Sequence, residues 1–444
     1  MRLTWVQPED LIGHELRQAR EEGKQVDAIE ARWHAAGGHD APPRAGASAH
    51  PASPERRALA ERLLDEIAAI ASPRAGDEPE EYCSASPPPA VSVSRAELAP
   101  RVAGAWLGRA VGCVLGKPVE KLPREGIREL LESAGRWPLA GWFSAEGVPP
   151  EVLERWPWNR RSAPTSLRET IAGIPEDDDL NFMLVALDVL ERHGPAFATD
   201  DVASAWLDSL PAGRVFTAER VAYRNLLGGL VAPATATYRN PFREWVGARL
   251  RVELHGLARP GDPAAAAAAA ARDARLSHTA NGVYAATFMA AACAAAAAGA
   301  LPADAVATGL WAVPPRSRLG RALRDARQLA VSARSWEAIV DELDRRHAGQ
   351  HWVHAVNNTA LVVAALCRFG CDFDAAICGV VSAGLDTDTN GAAVGTIVGA
   401  AVGVAGIDAR WSAPLGDRLS TSLPGFDGVS LGELGERTLA VAVA

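Results

Sequence analysis

The sequence has few of the residues that mark disulfide-rich, zinc-binding or nucleic-acid-binding proteins. Six cysteines are spread over 444 residues and no two form a Cys-x-x-Cys pair, so we interpret them as small buried hydrophobic residues. The chain also lacks a basic excess: 45 lysines and arginines stand against 54 acidic residues, a formal net charge of −9. Nonspecific binding to nucleic acid or to a membrane surface needs a basic footprint. We therefore expect neither partner, although local arginines can still hold a small anionic substrate.

The sequence also shows no pattern typical of a targeting segment or a membrane-spanning segment. The first residues, 1–5, lead into charged sequence without the apolar core of a signal peptide. One uncharged apolar run, residues 390–406, is shorter than the roughly 20 residues that a transmembrane helix needs. We interpret it as a buried core helix and expect a cytoplasmic, reduced protein. The oligomeric state is left open.

Alternating strand patterns of any length are absent before the C-terminal tail, which predicts an all-α fold. Proline- and serine-rich linkers divide the chain into a helical N-terminal extension, residues 1–93, and a catalytic domain, residues 94–444. Within the extension, the amphipathic pattern of residues 8–33 predicts one helix. Ser94 and Glu97 form a capping box that opens the domain. A few short extended pieces are expected after Trp411.

Two apolar helices carry a glycine at every fourth position, so the glycines of each helix lie along one face. A glycine in a helix interior costs about 1 kcal/mol relative to alanine, and a stripe of them needs a compensating reason. Close approach of another backbone supplies that reason, and we infer that the two helices pair directly. The glycines concerned are Gly104, Gly108, Gly112 and Gly116 in the first helix, and Gly391, Gly395, Gly399 and Gly403 in the second.

Acidic residues cluster at the starts of two helices. Asp386 and Asp388 alternate with Thr387 and Thr389 just before the second glycine helix, and residues 176–179 read Glu-Asp-Asp-Asp at the head of an apolar helix. Hard oxygen donors of this kind suit Mg²⁺ or Mn²⁺ better than zinc. If the fold brings the clusters together, at least five carboxylates meet, and their repulsion requires bound cations or protons.

These blocks resemble the three signature blocks of the ADP-ribosylglycohydrolase superfamily, which includes the dinitrogenase reductase-activating glycohydrolase and the jellyfish J1 crystallins. The blocks are the glycine helix with its Gly-Lys-Pro-Val-Glu ending (residues 104–120), the acidic triplet (177–179) and Gly-Leu-Asp-Thr-Asp-Thr (384–389). The resemblance implies a compact all-α bundle with a dinuclear Mg²⁺ cleft, in which Mn²⁺ can substitute. It also implies cleavage of the bond at the ribose anomeric carbon of an ADP-ribosylated or ribosylated substrate, either a small molecule or a protein.

The resemblance also implies roles for individual residues. Asp178 and Glu120 correspond to groups that position or activate the attacking water. The metal ligands correspond to Asp177, Asp178, Asp179, Asp386, Asp388 and Thr389. His278 and Asn281 lie near the place of a histidine that often lines the cleft in the family, and they are assigned with Thr387 to substrate binding.

Two positions depart from the family pattern, which usually has threonine at Asp177 and aspartate at Cys113. A Gly-Asn-Gly loop for the diphosphate is also missing, which leaves a smaller N- or O-riboside open as substrate. Two other functions stay open. One is a Mg²⁺-dependent enzyme acting on a diphosphate, such as a terpene synthase, and the other is a catalytically silent, crystallin-like or ligand-binding relic.

Overall fold

The structure is a computed structural model that describes residues 3–41, 46–82 and 86–442. These residues form 22 α-helices and one small sheet, which confirms the all-α prediction. Strands β1 (Arg418–Leu419) and β2 (Val429–Ser430) pair antiparallel, Arg418 opposite Ser430, in the tail where short extended pieces were expected. The helices are α1 (Pro8–Glu21), α2 (Asp27–Ala35), α3 (Pro54–Ala68), α4 (Arg95–Gly116), α5 (Arg124–Ser133), α6 (Pro150–Arg155), α7 (Ala163–Ser166), α8 (Asp178–His193), α9 (Thr199–Ser209), α10 (Thr217–Leu227), α11 (Ala234–Thr237), α12 (Glu253–Leu257), α13 (Pro263–Ala274), α14 (Ala280–Ala297), α15 (Pro302–Trp311), α16 (Arg318–Ser332), α17 (Trp336–Arg346), α18 (Ala355–Phe369), α19 (Phe373–Ser382), α20 (Thr387–Val402), α21 (Ala409–Ser412) and α22 (Leu431–Val441). Shorter 3-10 turns span Lys117–Val119, Ala212–Arg214, Val246–Arg251 and Val404–Gly406.

The prediction of a single helix over residues 8–33 is wrong. The segment forms α1 and α2, and the chain turns between them at Gly23, whose φ of +82° lies in the left-handed region. Glycine adopts that region without the steric cost that a β-carbon brings. The amphipathic pattern continues across the turn because both helices bury one face in the same small core.

This small core joins the extension to the rest of the chain. Leu11, Trp33 and Leu63 of the extension pack in one hydrophobic cluster with Phe242 and Trp245, which lie between α11 and α12. The extension therefore shares a hydrophobic core with residues of the domain. The predicted division of the chain at residue 93 stays a prediction.

The two glycine helices pair directly, as predicted. A β-carbon added at Gly108 would lie 2.1 Å from the carbonyl oxygen of Gly395, and one at Gly395 would lie 2.0 Å from the carbonyl oxygen of Gly108. Likewise, a β-carbon added at Gly112 would lie 1.9 Å from the carbonyl oxygen of Gly391. Residue numbers rise along α4 as they fall along α20, so the helices are antiparallel. This glycine zipper brings their backbones into van der Waals contact.

The centre of the domain is the alanine-rich helix α14, which packs against α12, α13, α15 and α20. It is long and apolar enough to cross a membrane by length and composition alone, but 94% of its 18 residues are buried inside the protein. Packing against neighbouring helices therefore accounts for its apolar surface. The uncharged run that begins at residue 390 likewise lies mostly in α20, buried against α4.

Candidate metal centre

The glycine zipper sets the position of the second acidic block. At the end of α4, a β-carbon on Gly116 would lie 2.3 Å from the backbone nitrogen of Asp388, so the start of α20 rests on the last turn of α4. The start of α8 lies beside it, because the Thr389 hydroxyl donates a hydrogen bond to Asp179 Oδ2 over 3.1 Å. Two helix N-termini therefore bring the acidic blocks together.

Asp177 is held by its own helix and by a lysine. As the N-cap of α8, its Oδ1 accepts the backbone N–H of Asp179 at 3.0 Å. Its Oδ2 forms an ion pair with Lys117, whose ammonium also donates to the Glu176 carbonyl. Burial is the largest single effect and raises the pKa of Asp177, but the charge and hydrogen bond of Lys117, together with the Asp179 amide, hold the pKa below its ordinary value. Both oxygens already have partners, and a role of Asp177 as metal ligand stays a prediction.

Asp178, Asp386 and Asp388 have no ion pair within the described residues, and Asp179 has one, in which Arg109 Nη2 lies 3.6 Å from Oδ1. Burial raises the pKa of Asp178 and of Asp386 well above the ordinary value, and neighbouring carboxylates raise each further. The pKa of Asp388 is raised by burial and then by Glu120. For Asp179, burial and Asp177 raise the pKa, although Arg109 acts in the opposite direction. The cluster as it stands is short of positive charge, which protons or cations would supply.

The donor set fits hard divalent cations. Asp179 Oδ1 is buried and accepts no hydrogen bond within the described residues, although Arg109 Nη2 lies 3.6 Å from it, so this oxygen can still accept a metal ion. Ligand atoms of Cys113, Asp177 and Asp179 lie within 4.8 Å of one another. Burial keeps the Cys113 thiol protonated by raising its pKa, which leaves oxygen as the dominant donor. Carboxylates and hydroxyls favour Mg²⁺ and Mn²⁺.

A polar shell beneath the second block was not found from the sequence. Asn358, at the start of α18, accepts hydrogen bonds at Oδ1 from the Asp386 backbone N–H (3.1 Å) and from Asn390 Nδ2 (2.7 Å). Arg249 donates to Asn390 Oδ1 at 2.7 Å. The only available sign was the pair Asn357 and Asn358 at the head of an apolar helix, a pattern equally typical of helix capping.

A second buried arginine supports the first block. Arg109, on α4, is fully buried and donates to the Asp179 carbonyl oxygen from Nε (3.1 Å) and Nη2 (2.5 Å). Its Nη1 lies 2.9 Å from Glu253 Oε1, also fully buried. An arginine inside an apolar, glycine-rich helix is unusual. This position was the one sign in the sequence that Arg109 has a role at the site.

Glu120 lies at the edge of the cluster, just after the turn that follows α4. Its carboxylate accepts a hydrogen bond from Asn159 Nδ2 at 2.7 Å and lies 3.1 Å from Lys121 Nζ. Its charge raises the pKa values of Asp178, Asp386 and Asp388. Glu120 is therefore close to the aspartates, and its side chain is still partly open to solvent.

The three residues assigned to substrate binding have other partners. The Thr387 hydroxyl is fully buried and donates to the Gly116 carbonyl at 2.8 Å, so it fastens α20 to α4. Asn281 donates to Glu244, and His278 bonds to the Ser277 hydroxyl. Within the described residues, none of the three is hydrogen-bonded to the acidic cluster. Their roles in binding stay predictions.

The fold and the site together define an all-α protein with a buried acidic centre that is built on two helix N-termini and could bind metal ions. The chain belongs to the ADP-ribosylglycohydrolase family, whose family model matches residues 94–440. It is therefore a hydrolase that acts on glycosidic bonds of ribose. A solved structure described as an ADP-ribosylglycohydrolase-related protein complex is similar, with 24% identity, a TM-score of 0.47 and coverage of 78% of this chain and 98% of the other. No curated protein sequence matches.

Proposed function

We propose that the chain binds two Mg²⁺ ions at the acidic cluster and hydrolyses the bond between the ribose anomeric carbon and the leaving group of an ADP-ribosylated substrate. Mn²⁺ is the expected substitute. The observation that carries the proposal is the convergence of Asp178, Asp179, Asp386 and Asp388, all with raised pKa values. Among the described residues these four carboxylates have one ion pair, in which Arg109 Nη2 lies 3.6 Å from Asp179 Oδ1. Thr389 completes the oxygen donors.

The positions of the residues around the acidic cluster suggest a separate role for each in the reaction. When bound, the metal ions would supply Lewis-acid chemistry at the ribose hydroxyls and lower the pKa of a water molecule. Asp178 takes the proton of the attacking water, and Glu120, steadied by Asn159, assists it. Positive charge that develops on the ribose ring is stabilised by the surrounding carboxylates. Asp177 stays with Lys117 and fixes the start of α8.

A phosphate-bearing substrate is favoured by an arginine without a carboxylate partner. Arg220, on α10, is buried and donates to the Thr4 hydroxyl and to the carbonyl oxygens of Thr4 and Gly213, the last two at 3.4 Å. Its Nε has no hydrogen-bond partner, and no carboxylate lies within ion-pair distance among the described residues. A buried guanidinium left in this state is costly, and a phosphate group would relieve that cost.

Arg220 also lies close to the acidic cluster. Burial, and next the charge of Arg161, lowers the pKa of Arg220 to about 10, while Asp178 acts in the opposite direction. Arg214, next to the Gly213 that Arg220 contacts, pairs with Glu176 at 2.9 Å, directly before the acidic triplet. A ribose held at the aspartates would thus place a 5′-phosphate group toward Arg220 and Arg161. This arrangement favours an ADP-ribosyl substrate over a simple riboside.

The metal centre is tested with the double variant D386N/D388N. Calorimetry should show that Mg²⁺ and Mn²⁺ binding is lost, and release of ADP-ribose from ADP-ribosyl-arginine, ADP-ribosyl-serine or O-acetyl-ADP-ribose should fall at least about 100-fold, since the ligands of the second block become neutral. The exposed pair variant D341N/D344N is the control. Unchanged metal binding in D386N/D388N would refute the proposed centre. A wild type that binds metal and cleaves none of these compounds would favour a silent binder.

The preference for a phosphate-bearing substrate is tested separately with R220Q. KM for the ADP-ribosyl compound that the wild type cleaves should rise about tenfold or more, because one charge-assisted contact is lost. Turnover of a simple riboside should not change. R224Q, on the same helix and likewise bonded to the extension through the Val6 carbonyl, should leave both values near wild type. If R220Q impaired the cleavage of both substrates equally, Arg220 would not bind the phosphate group.

A further inference from the structure

A second pair of arginines lies far from the metal centre, at the other end of α8. The acidic triplet heads this helix, whereas Pro195 lies directly after Gly194, the residue that caps its C-terminal end. Sixteen helical residues span about 24 Å at 1.5 Å per residue. Around Pro195, a groove with a volume of about 640 Å³ lies between the linker residues 90–92 and the turn that joins α12 to α13. We call it the linker groove.

The two arginines that line the linker groove share one acceptor. Arg259 Nη2 and Arg272 Nη2 donate to the Pro195 carbonyl oxygen, at 2.9 and 3.0 Å. Neither has a carboxylate within ion-pair distance in the part of the chain that the structure describes, and Arg272 Nε is buried without a hydrogen-bond partner. Only 5% of Arg259 is exposed. Two cations therefore stand side by side, one of them inside the protein.

The groups around the pair do not neutralise it. Burial, and then Arg272, lowers the pKa of Arg259 to about 10, whereas Asp262 acts in the opposite direction. Asp262 is the one carboxylate that lines the groove, and its Oδ1 is already occupied by the Ala265 amide as the N-cap of α13. Arg272 also lies over the ring of Phe197, with its guanidinium carbon 4.9 Å from the ring centroid. One carboxylate faces two guanidinium groups, so the groove keeps a positive charge.

We propose that the linker groove binds a phosphate monoester, with its dianionic head between Arg259 and Arg272. The planar guanidinium groups match the geometry of phosphate oxygens, and the volume is that of a site for a small organic ligand. The Val91 N–H donates to the Gly261 carbonyl at 2.9 Å, so the linker already rests on the rim of the groove. A ligand there contacts both the linker and the domain.

The proposal is tested by calorimetry on the full-length chain with inorganic phosphate, ribose 5-phosphate and AMP, after metal removal with EDTA and again with Mg²⁺. Binding of at least one of them should occur without metal. R259Q and R272Q should each weaken it about tenfold, equivalent to about 1.4 kcal/mol. R316Q, which removes an exposed arginine paired with Asp77, should not. R272Q keeps the test valid if R259Q fails to fold, because Arg272 is only half-buried.

Three results would overturn the proposal. One is the absence of binding by the metal-free wild type at about 10 mM ligand. Another is binding that R272Q leaves unchanged. The third is binding that requires Mg²⁺, since it would place the phosphate at the acidic cluster. Because the groove is assayed without metal and without turnover, failure of the proposed hydrolysis would not affect the result.

Discussion

At the scale of single residues, His14 is buried without a polar partner for either ring nitrogen among the described residues. It lies in α1, where its ring packs against Phe242 at 5.0 Å and Trp245 at 5.6 Å between centroids. Burial, with a smaller effect of Arg17, lowers the pKa of His14 to about 3. The folded protein therefore holds a neutral imidazole that the unfolded chain would protonate below about pH 6.5.

This residue makes stability depend on pH in one direction. The folded pKa lies below the unfolded value, so the unfolded state takes up the proton first and stability falls as the pH drops from about 6.5 toward 3. Between pH 7 and pH 5 the loss due to His14 is about 2 kcal/mol. Measured by urea unfolding, the free energy of unfolding of H14F should fall between pH 7 and pH 5 by about 2 kcal/mol less than that of the wild type. The exposed control H50N should follow the wild type, and parallel curves for H14F would contradict the assignment.

Residue chemistry also explains how much of the site was predictable. Asp386 and Asp388 were identified because two carboxylates and two hydroxyls in four positions have few structural uses. Asn358 was not, because an asparagine at a helix start is ordinary, and its bond to the Asp386 backbone joins positions 28 apart. The assignment of His278 and Asn281 to substrate binding rested on a looser match, and the structure bonds them elsewhere.

At the scale of elements, the glycine zipper carries the acidic blocks. Periodicity predicted it, since a stripe of glycine in two helices has few uses other than close backbone contact. Capping chemistry predicted a helix start equally well, since the Ser94 capping box is present at the start of α4. The turn at Gly23 was missed because the apolar pattern runs through it, and one glycine inside a helical pattern does not by itself indicate a break.

The zipper predicts opposite effects for the same substitution at two places. G395A would put a β-carbon 2.0 Å from the Gly108 carbonyl oxygen, and we expect a loss of about 2–3 kcal/mol or more in urea unfolding, with weaker Mg²⁺ binding because the start of α20 moves. G435A, in α22 where no atom lies within 4 Å of an added β-carbon, should be neutral or gain up to about 1 kcal/mol. Similar stabilities for both would contradict backbone contact.

At the scale of the whole molecule, buried ion pairs join the extension to the domain. Arg243 contacts Glu15 through Nη1 at 2.8 Å and Glu22 through Nε at 3.0 Å. Arg318 contacts Glu78 at 2.8 Å and Glu244 at 2.7 Å. The all-α class followed from the absence of alternating patterns, but pairs such as Arg243 with Glu15 are 228 positions apart and no local pattern specifies them.

Removal of one buried arginine should therefore loosen the extension. R243M leaves Glu15 and Glu22 buried without their main counter-ion, and we expect a loss of about 3–5 kcal/mol together with faster proteolysis of the extension. The control is R239Q, which breaks a contact with Asp65 at 2.8 Å on the exposed edge of the same interface and should cost less than about 1 kcal/mol. Equal costs for the two variants would show that the buried pairs do not hold the extension.

The contact between α4 and α20 also affects how the protein reaches its native state. Thr387 donates a hydrogen bond to Gly116 across 271 positions of the chain. The last turn of α4 can therefore pair with α20 only after most of the polypeptide has been synthesised. Contacts of such long sequence separation form slowly, and chains of this size fold through intermediates. The aspartates of α8 and α20 meet only after that step, so the capacity to bind Mg²⁺ should appear among the last events of folding.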